Sequence, residues 1–267
     1  MNVIVFSKDR ACQLDALMRS IQHHVANWDK HKYTVIFLPS APAFQKGYDI
    51  VRAKPYGRYY RMVLQTGKTF KQHVLEAINP KLEHTTFFVD DDVFIRNWDY
   101  NDGRVTSLKD PQVAAVSLRM DIRYDYCYTQ GCSVDIPTFD KMKWKWIGEQ
   151  GDWGYPMSLD GHIFRTSEIS KLISAVEFTN PNTLESSLAS RPPKSSPYMV
   201  GYEQAKILNI PINKVQTLNN NKYGQQFAFT VKDLNDHYLQ GRSINLDKIY
   251  GVDVANAPHY EMDLEIQ

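Results

Sequence analysis

Three aspartates in a row, Asp90, Asp91 and Asp92, close the apolar run Phe87-Phe88-Val89 and are followed at once by Val93-Phe94. Carboxylates this close repel one another, so the arrangement costs stability unless a cation sits among them. Oxygen ligands of this kind suit the hard ions Mg²⁺ or Mn²⁺, which commonly take further oxygens from a substrate diphosphate. A solvated acidic turn is the plainer alternative, and it is what most short acid runs are. The apolar flanks speak against it, because they pin the cluster to the end of a buried strand. A second polar group, Ser7-Lys8-Asp9-Arg10, follows the apolar run Val3-Ile4-Val5-Phe6 in the same manner. Asp9 can accept hydrogen bonds from a base or ribose and Arg10 can meet a phosphate with two parallel bonds, or Asp9 caps the next helix while Arg10 is solvated.

The elements that must hold these residues follow from periodicity. Residues 3–6 form a continuous apolar run rich in β-branched side chains, as expected of a parallel strand buried on both faces. Over residues 11–25 the apolar positions Leu14, Leu17, Met18 and Ile21 recur at helical spacing. A strand is expected at 33–38, stopped by Pro39, a helix at 70–78, closed by Asn79-Pro80, and strands at 85–89 and 113–118. Strand, polar loop and helix in this order begin an α/β nucleotide-binding half, and ligands of open α/β sheets sit beyond the carboxyl ends of strands. Both polar groups lie at such ends, so they can converge on one crevice. From 124 to 153 the pattern loosens into an aromatic segment, and a helix is expected from Ser167. Residues 186–197 are rich in Ser and Pro and are expected to form a mobile excursion, a candidate lid. Another helix starts near Val231, and the tail from Gly251 is polar with a single histidine, His259.

With 267 residues, 43% hydrophobic and 12% aromatic, the chain can bury a sizeable core as one large α/β domain or two closely joined lobes. Its 31 basic and 30 acidic residues leave a net charge of +1, which supplies no broad field for gripping nucleic acid or an anionic membrane. Phosphate recognition must then be local. Three cysteines, Cys12, Cys127 and Cys132, indicate neither a disulfide framework nor a zinc knuckle, so a reducing compartment is expected. At the N-terminus charges follow a short apolar run, the reverse of a signal peptide's order. No apolar stretch approaches the roughly 18 to 20 residues needed to span a bilayer. The expected place is the cytoplasm, at most peripheral to the inner membrane face.

Taken together, these segments resemble a glycosyltransferase of the GT-A fold, and most of all the bacterial family-A enzymes carrying F-x-V-D-D-D-V-F, D-W-G-Y-P-M-S-L-D-G-H-x-F-R and N-P-N-x-L-E. Here those motifs stand at residues 87–94, 152–165 and 180–185; the opening residues 6–10 with 13–17, and residues 209–216, also match. The similarity runs over nearly the whole chain. It implies a single domain, with residues 1–118 binding the nucleotide sugar and 119–267 binding the acceptor. Ser7, Lys8, Asp9 and Arg10 would contact the nucleotide. Within the D-x-D triplet Asp92 would bind Mn²⁺ or Mg²⁺ directly, with Asp90 and Asp91 sharing the ribose and the metal's water shell. His259 occupies the place of a further metal ligand, although a lone histidine is more often a surface or packing residue.

The donor implied is a nucleoside-diphosphate sugar, a UDP-sugar favoured, and the acceptor a hydroxyl of a glycan or other glycoconjugate. Transfer with inversion needs a base for the acceptor hydroxyl while the diphosphate departs. Relatives place an acid near Glu185, which is the first choice for the base; otherwise Glu185 is a first-turn residue of a helix that Asn182 caps. Asp160 is the rival base or a sugar-hydroxyl acceptor, and Gly161 beside it would let a sugar approach the backbone. Trp153 would stack on a sugar face, although tryptophans are more commonly core; His162 reads as packing. A retaining outcome stays open. Alternatives are a nucleotidyltransferase, which should show a Gly-rich basic loop that Ser7-Lys8-Asp9-Arg10 does not provide, and a non-catalytic glycan- or nucleotide-binding domain.

Overall fold

The computed structural model describes residues 1–215, 224, 227, 229–254 and 256–267; Gln216, the last residue of one matched segment, lies outside them. Strands in chain order are β1 (Asn2–Lys8), β2 (Lys32–Leu38), β3 (Tyr60–Leu64), β4 (His84–Val89), β5 (Asp92–Phe94), β6 (Val113–Ser117), β7 (Tyr126–Cys127), β8 (Cys132–Ser133), β9 (Lys143–Lys145), β10 (His162–Arg165), β11 (Tyr198–Val200) and β12 (Ile207–Asn209). The helices are α1 (Ala11–His24), α2 (Pro42–Ala53), α3 (Phe70–Ala77), α4 (Thr166–Ala175), α5 (Pro181–Ala189) and α6 (Val231–Leu239).

Among the described residues, eight strands form one sheet in the order β3-β2-β1-β4-β10-β6-β11-β9. The first four are parallel to one another; β10 runs antiparallel between β4 and β6, so the sheet is mixed. The fold is therefore α/β, and its sheet is continuous across position 118. β1 is buried from Asn2 to Ser7, which explains its unbroken apolar run: both faces are covered. Full burial of Phe87 and Phe88 on β4 contributes ~1.5–3 kcal/mol each. α1 is buried almost all round, including Asp15 and Gln13, because it packs against α2, α6 and β5. Its lone buried carboxylate, Asp15, accepts hydrogen bonds from Tyr56, from Tyr238 at 2.9 Å and from Arg19 at 2.8 Å.

The sequence expectations did not include α2, β3, β5 or the short strands from β7 to β12. α2 carries a Gly at position 47, whose missing Cβ lets α1 approach: a Cβ there would lie 2.8 Å from that of Ala11. The excursion expected at 186–197 begins instead as the last turn of α5, and its end is tied down by Ser196, which donates to the Pro111 carbonyl at 2.7 Å. No helix among the described residues is long and apolar enough to cross a membrane.

Candidate functional site

A cleft of about 380 Å³ opens at the carboxyl ends of β1, β2 and β4, where the two polar groups were expected to meet. Ser7, Lys8, Arg10, Asp90 and Asp91 line one part of it; Asp160, Glu185, Asn209, Lys214, Tyr128 and His259 line others. The structure thus brings residues from both halves of the chain to one place.

The centre of the acidic part is a guanidinium. Arg10 is buried, and its Nη1 donates to Asp90 Oδ1 at 3.0 Å and to Asp91 Oδ2 at 2.9 Å, while Nε donates to Asn213 Oδ1 at 2.7 Å. Burial alone would lower its pKa, yet the two carboxylates hold it above its ordinary value. Asp90 Oδ2 also accepts from the Lys8 backbone N–H at 3.1 Å; burial raises this carboxyl to about 6 despite Arg10. Arg10 is therefore not solvated. Asp9 is no helix cap either: it takes a left-handed φ of 59°, and its Oδ1 accepts from the Ser40 N–H at 2.6 Å, tying the loop after β1 to the loop after β2. That carboxylate does not line the cleft, which corrects the expectation of a base or ribose contact.

Asp92 is sealed. Its side chain accepts from the Val89 N–H at 3.0 Å and from Asn209 Nδ2 at 3.1 Å, and it does not line the cleft. Burial, then the charges of Asp160 and Asp91, push its pKa well above the carboxylate range. Asn209 is the connector: its amide also donates to Asp91 Oδ1 at 3.2 Å, its strand β12 pairs with β5 through Asn209 and Asp92, and its backbone bridges to His259. The expected set of Asp90, Asp92 and His259 does not fit a divalent ion in this arrangement. Each Asp oxygen that faces the cluster already accepts a protein donor, the cation between Asp90 and Asp91 is Arg10, and no three His, Cys, Asp or Glu side chains among the described residues make a metal-binding group.

A second buried cation, Arg119, was not singled out from the sequence. It donates to Asp160 Oδ2 at 3.1 Å, Ser158 Oγ at 2.7 Å and Asp152 Oδ1 at 2.5 Å, and it lies 3.4 Å from His259 Nδ1. The available signal was its position two residues past the buried strand β6. On its other side His259 Nε2 stands 3.7 Å from Asp160 Oδ2. Burial pushes the Asp160 carboxyl up, but His259 and Arg119 outweigh it and hold it below its usual value. Asp160 is thus an ionised, paired acid.

Glu185 differs. It sits in the second turn of α5, whose cap is Asn180 in a reciprocal box with Thr183, so neither Asn182 nor Glu185 serves the helix end. Its Oε1 accepts from the Leu159 N–H at 3.0 Å. Burial, with the charge of Asp160 added, raises this carboxyl to about 7; the Leu159 bond and Arg119 only partly offset that. A cleft carboxyl that exchanges its proton near neutrality meets the environment that a general base needs.

Two sugar-contact expectations are corrected. Trp153 is 1% exposed, packed edge to face on Trp144 with centroids 5.1 Å apart, and its Nε1 donates to the Tyr124 carbonyl at 2.9 Å, so it offers no face to a ligand. Gly161 has a φ of +72°, and a Cβ there would stand 2.2 Å from Ile207 Cδ1; the glycine serves packing and does not line the cleft. Gly161→Ala should therefore destabilise by ~1–3 kcal/mol, from the left-handed backbone and the clash together, read as a lower urea midpoint with unchanged slope. His162 is a core residue, its Nδ1 3.2 Å from the Pro156 carbonyl.

No family model matches the chain. Among curated proteins it is 23% identical over 294 residues to the bifunctional glycosyltransferase pgtA of Dictyostelium discoideum, covering 92% of this chain and 38% of that protein. The chain thus spans under two fifths of that relative's length. Among solved structures, TarS of S. aureus in complex with UDP-GlcNAc is similar over 86% of this chain and 62% of that one, at 12% identity and a TM-score of 0.47. The CTP:phosphocholine cytidylyltransferase LicC of Streptococcus pneumoniae is similar over 78% of this chain and 92% of that one, at 14% identity and a TM-score of 0.42.

Proposed function

We propose that this chain is a glycosyltransferase of the GT-A fold that moves a sugar from a nucleoside-diphosphate sugar to an acceptor hydroxyl on a glycan or glycoconjugate, inverting the anomeric centre in one displacement. The observation that carries the reading is Glu185: a cleft carboxyl, fixed by the Leu159 N–H and raised to about 7, opposite the basic loop after β1. The likeness to the Dictyostelium glycosyltransferase supports the same class, and a UDP-sugar is the favoured donor.

In this mechanism Lys8 and Lys214 face the donor's diphosphate from the cleft wall, while Arg10 offsets the charge of Asp90 and Asp91 beside it. The acceptor oxygen attacks the anomeric carbon as Glu185 takes its proton, and the nucleoside diphosphate leaves. Asp160, kept ionised by Arg119 and His259, accepts hydrogen bonds from sugar hydroxyls. No step is routed through a divalent ion, because the residues around Arg10 do not make a place for one.

A panel of UDP-, GDP-, CMP- and dTDP-sugars, scored by thermal shift and by donor turnover, tests the substrate class. The base has its own signature in pH. Glu185 works only when ionised, and its pKa is raised, so kcat/KM should climb about tenfold per unit below a midpoint near 7 and level off above it. Initial rates between about pH 5 and 9 check this; an acid limb at the ordinary glutamate value would remove Glu185 from the role.

A further inference from the structure

One wall of the cleft is a small hairpin, and its ladder pairs two cysteines next to the loop. β7 and β8 pair antiparallel with Cys127 directly opposite Cys132. Residues directly opposite on such a ladder have Cα atoms about 4.5 to 5.5 Å apart. A disulfide accepts Cα separations of about 4.4 to 6.8 Å, so the backbone spacing admits a bridge once the two sulfurs turn from Thr129 and Gln130 toward each other. Both are free thiols; Cys127 is buried and Cys132 exposed.

The hairpin is tied to the site at its tip. Tyr128 and Thr129 line the cleft, the Tyr128 hydroxyl donates to Glu261, and the Tyr128 ring stacks on His259 with centroids 5.9 Å apart. Beyond the ladder, Tyr126 donates to the Asn256 carbonyl at 3.0 Å, Val134 donates to the Asp125 carbonyl at 2.8 Å, and the loop closes through Gly131 donating to the Cys127 carbonyl at 2.7 Å. With only two residues in each strand, such a ladder is marginal by itself. A covalent cross-link would change its stiffness far more than one in a wide sheet.

We propose that Cys127 and Cys132 form a reversible disulfide site, closed by exchange with a small disulfide of the glutathione class, and that closure stiffens the Tyr128–Thr129 wall of the cleft. The exposed Cys132 thiolate attacks one sulfur of oxidised glutathione, forming a mixed disulfide and releasing one glutathione thiolate. Cys127, deprotonated, then attacks the Cys132 sulfur and expels the second. Two protein thiols are oxidised, one glutathione disulfide is reduced, and the two expelled glutathione thiolates take up the two protons that the protein thiols gave up. Exposed disulfides of this kind are the labile, regulatory ones, and in a reducing compartment lasting disulfides are rare. Burial raises the Cys127 thiol above its ordinary value, which makes the second step the slower one.

The test uses the full chain treated with oxidised glutathione, then acid-quenched, digested and weighed. The expected product is a single intramolecular link between the Cys127 and Cys132 peptides, with Cys12 still a thiol, reversed by dithiothreitol. Amide exchange at positions 126–133 should slow by about tenfold in the oxidised protein, and Cys132→Ser, an exposed and structurally mild change, should abolish both effects. Arrest at a glutathione adduct on Cys132, a link between two chains, a link to Cys12, or a link that leaves exchange at 126–133 unaltered would each overturn the proposal. None of these readouts depends on sugar transfer, so its failure and that of the proposed activity are separable.

Discussion

Glu185→Gln should lower kcat by about 10²- to 10⁴-fold while leaving nucleotide-sugar affinity within about twofold. The amide is nearly isosteric, and its oxygen can still accept the Leu159 N–H, so α5 and the cleft keep their shape. What it cannot do is take a proton from an attacking hydroxyl. The donor-facing residues Ser7 and Lys8 lie on β1 and are untouched. Stability supplies the control. A carboxyl whose pKa is raised by folding favours the native state fully below its unfolded value, and that contribution is lost as pH rises through about 7. Glutamine carries no such charge, so above pH 7 the variant should melt at the same temperature as the parent or higher. Single-turnover transfer and calorimetric donor binding, run on one preparation, check both halves. Transfer at the parental rate would end the assignment of Glu185 as base.

Arg10→Met should cost ~3–5 kcal/mol of folding stability, because it strands Asp90 and Asp91 without their cation in a buried setting. Arg10→Lys should recover only part of this: one ammonium cannot reproduce the fork that reaches Asp90, Asp91 and Asn213 together. The same vacancy gives a second readout. Added Mn²⁺ should raise the melting temperature of Arg10→Met more than that of the parent, since the methionine variant presents the acids without a competing guanidinium. Chemical denaturation with and without millimolar Mn²⁺ measures both. A variant as stable as the parent, or an ion response larger in the parent, would contradict the charge balance described for this cluster.

The strands β1, β2, β4 and β6 and the first helix were legible in the sequence because they are largely buried. β1 reads as an apolar run over residues 3–6, β6 is apolar from Val113 to Val116 and β4 ends in the apolar run Phe87-Phe88-Val89, and the acid triplet was correctly attached to a strand end. Which charge neutralised it was not legible. The like-charge argument asked for a cation, and a cation is present; that Arg10 fills the place follows from the turn at Asp9, whose left-handed backbone no spacing rule announces. Arg119 was invisible for a related reason: a lone arginine after a strand says nothing of the four partners that tertiary folding gathers around it. Trp153 and Gly161 were read for their chemistry, and packing claimed both. α2 was not expected; in it Gly47 admits a neighbouring helix and Pro42 opens the first turn.

The placement of β10 governs how the molecule can be assembled. Its four residues lie between β4 and β6, so until position 165 has left the ribosome the hydrogen-bonding edge of β4 has no neighbour. Nascent chains ending near residue 118 would carry a bare, apolar strand rim, the kind of surface that recruits other chains or a chaperone. Productive folding must then wait for synthesis of the later segments, and excision of the first 118 residues as a free-standing nucleotide-binding fragment should yield an aggregating product.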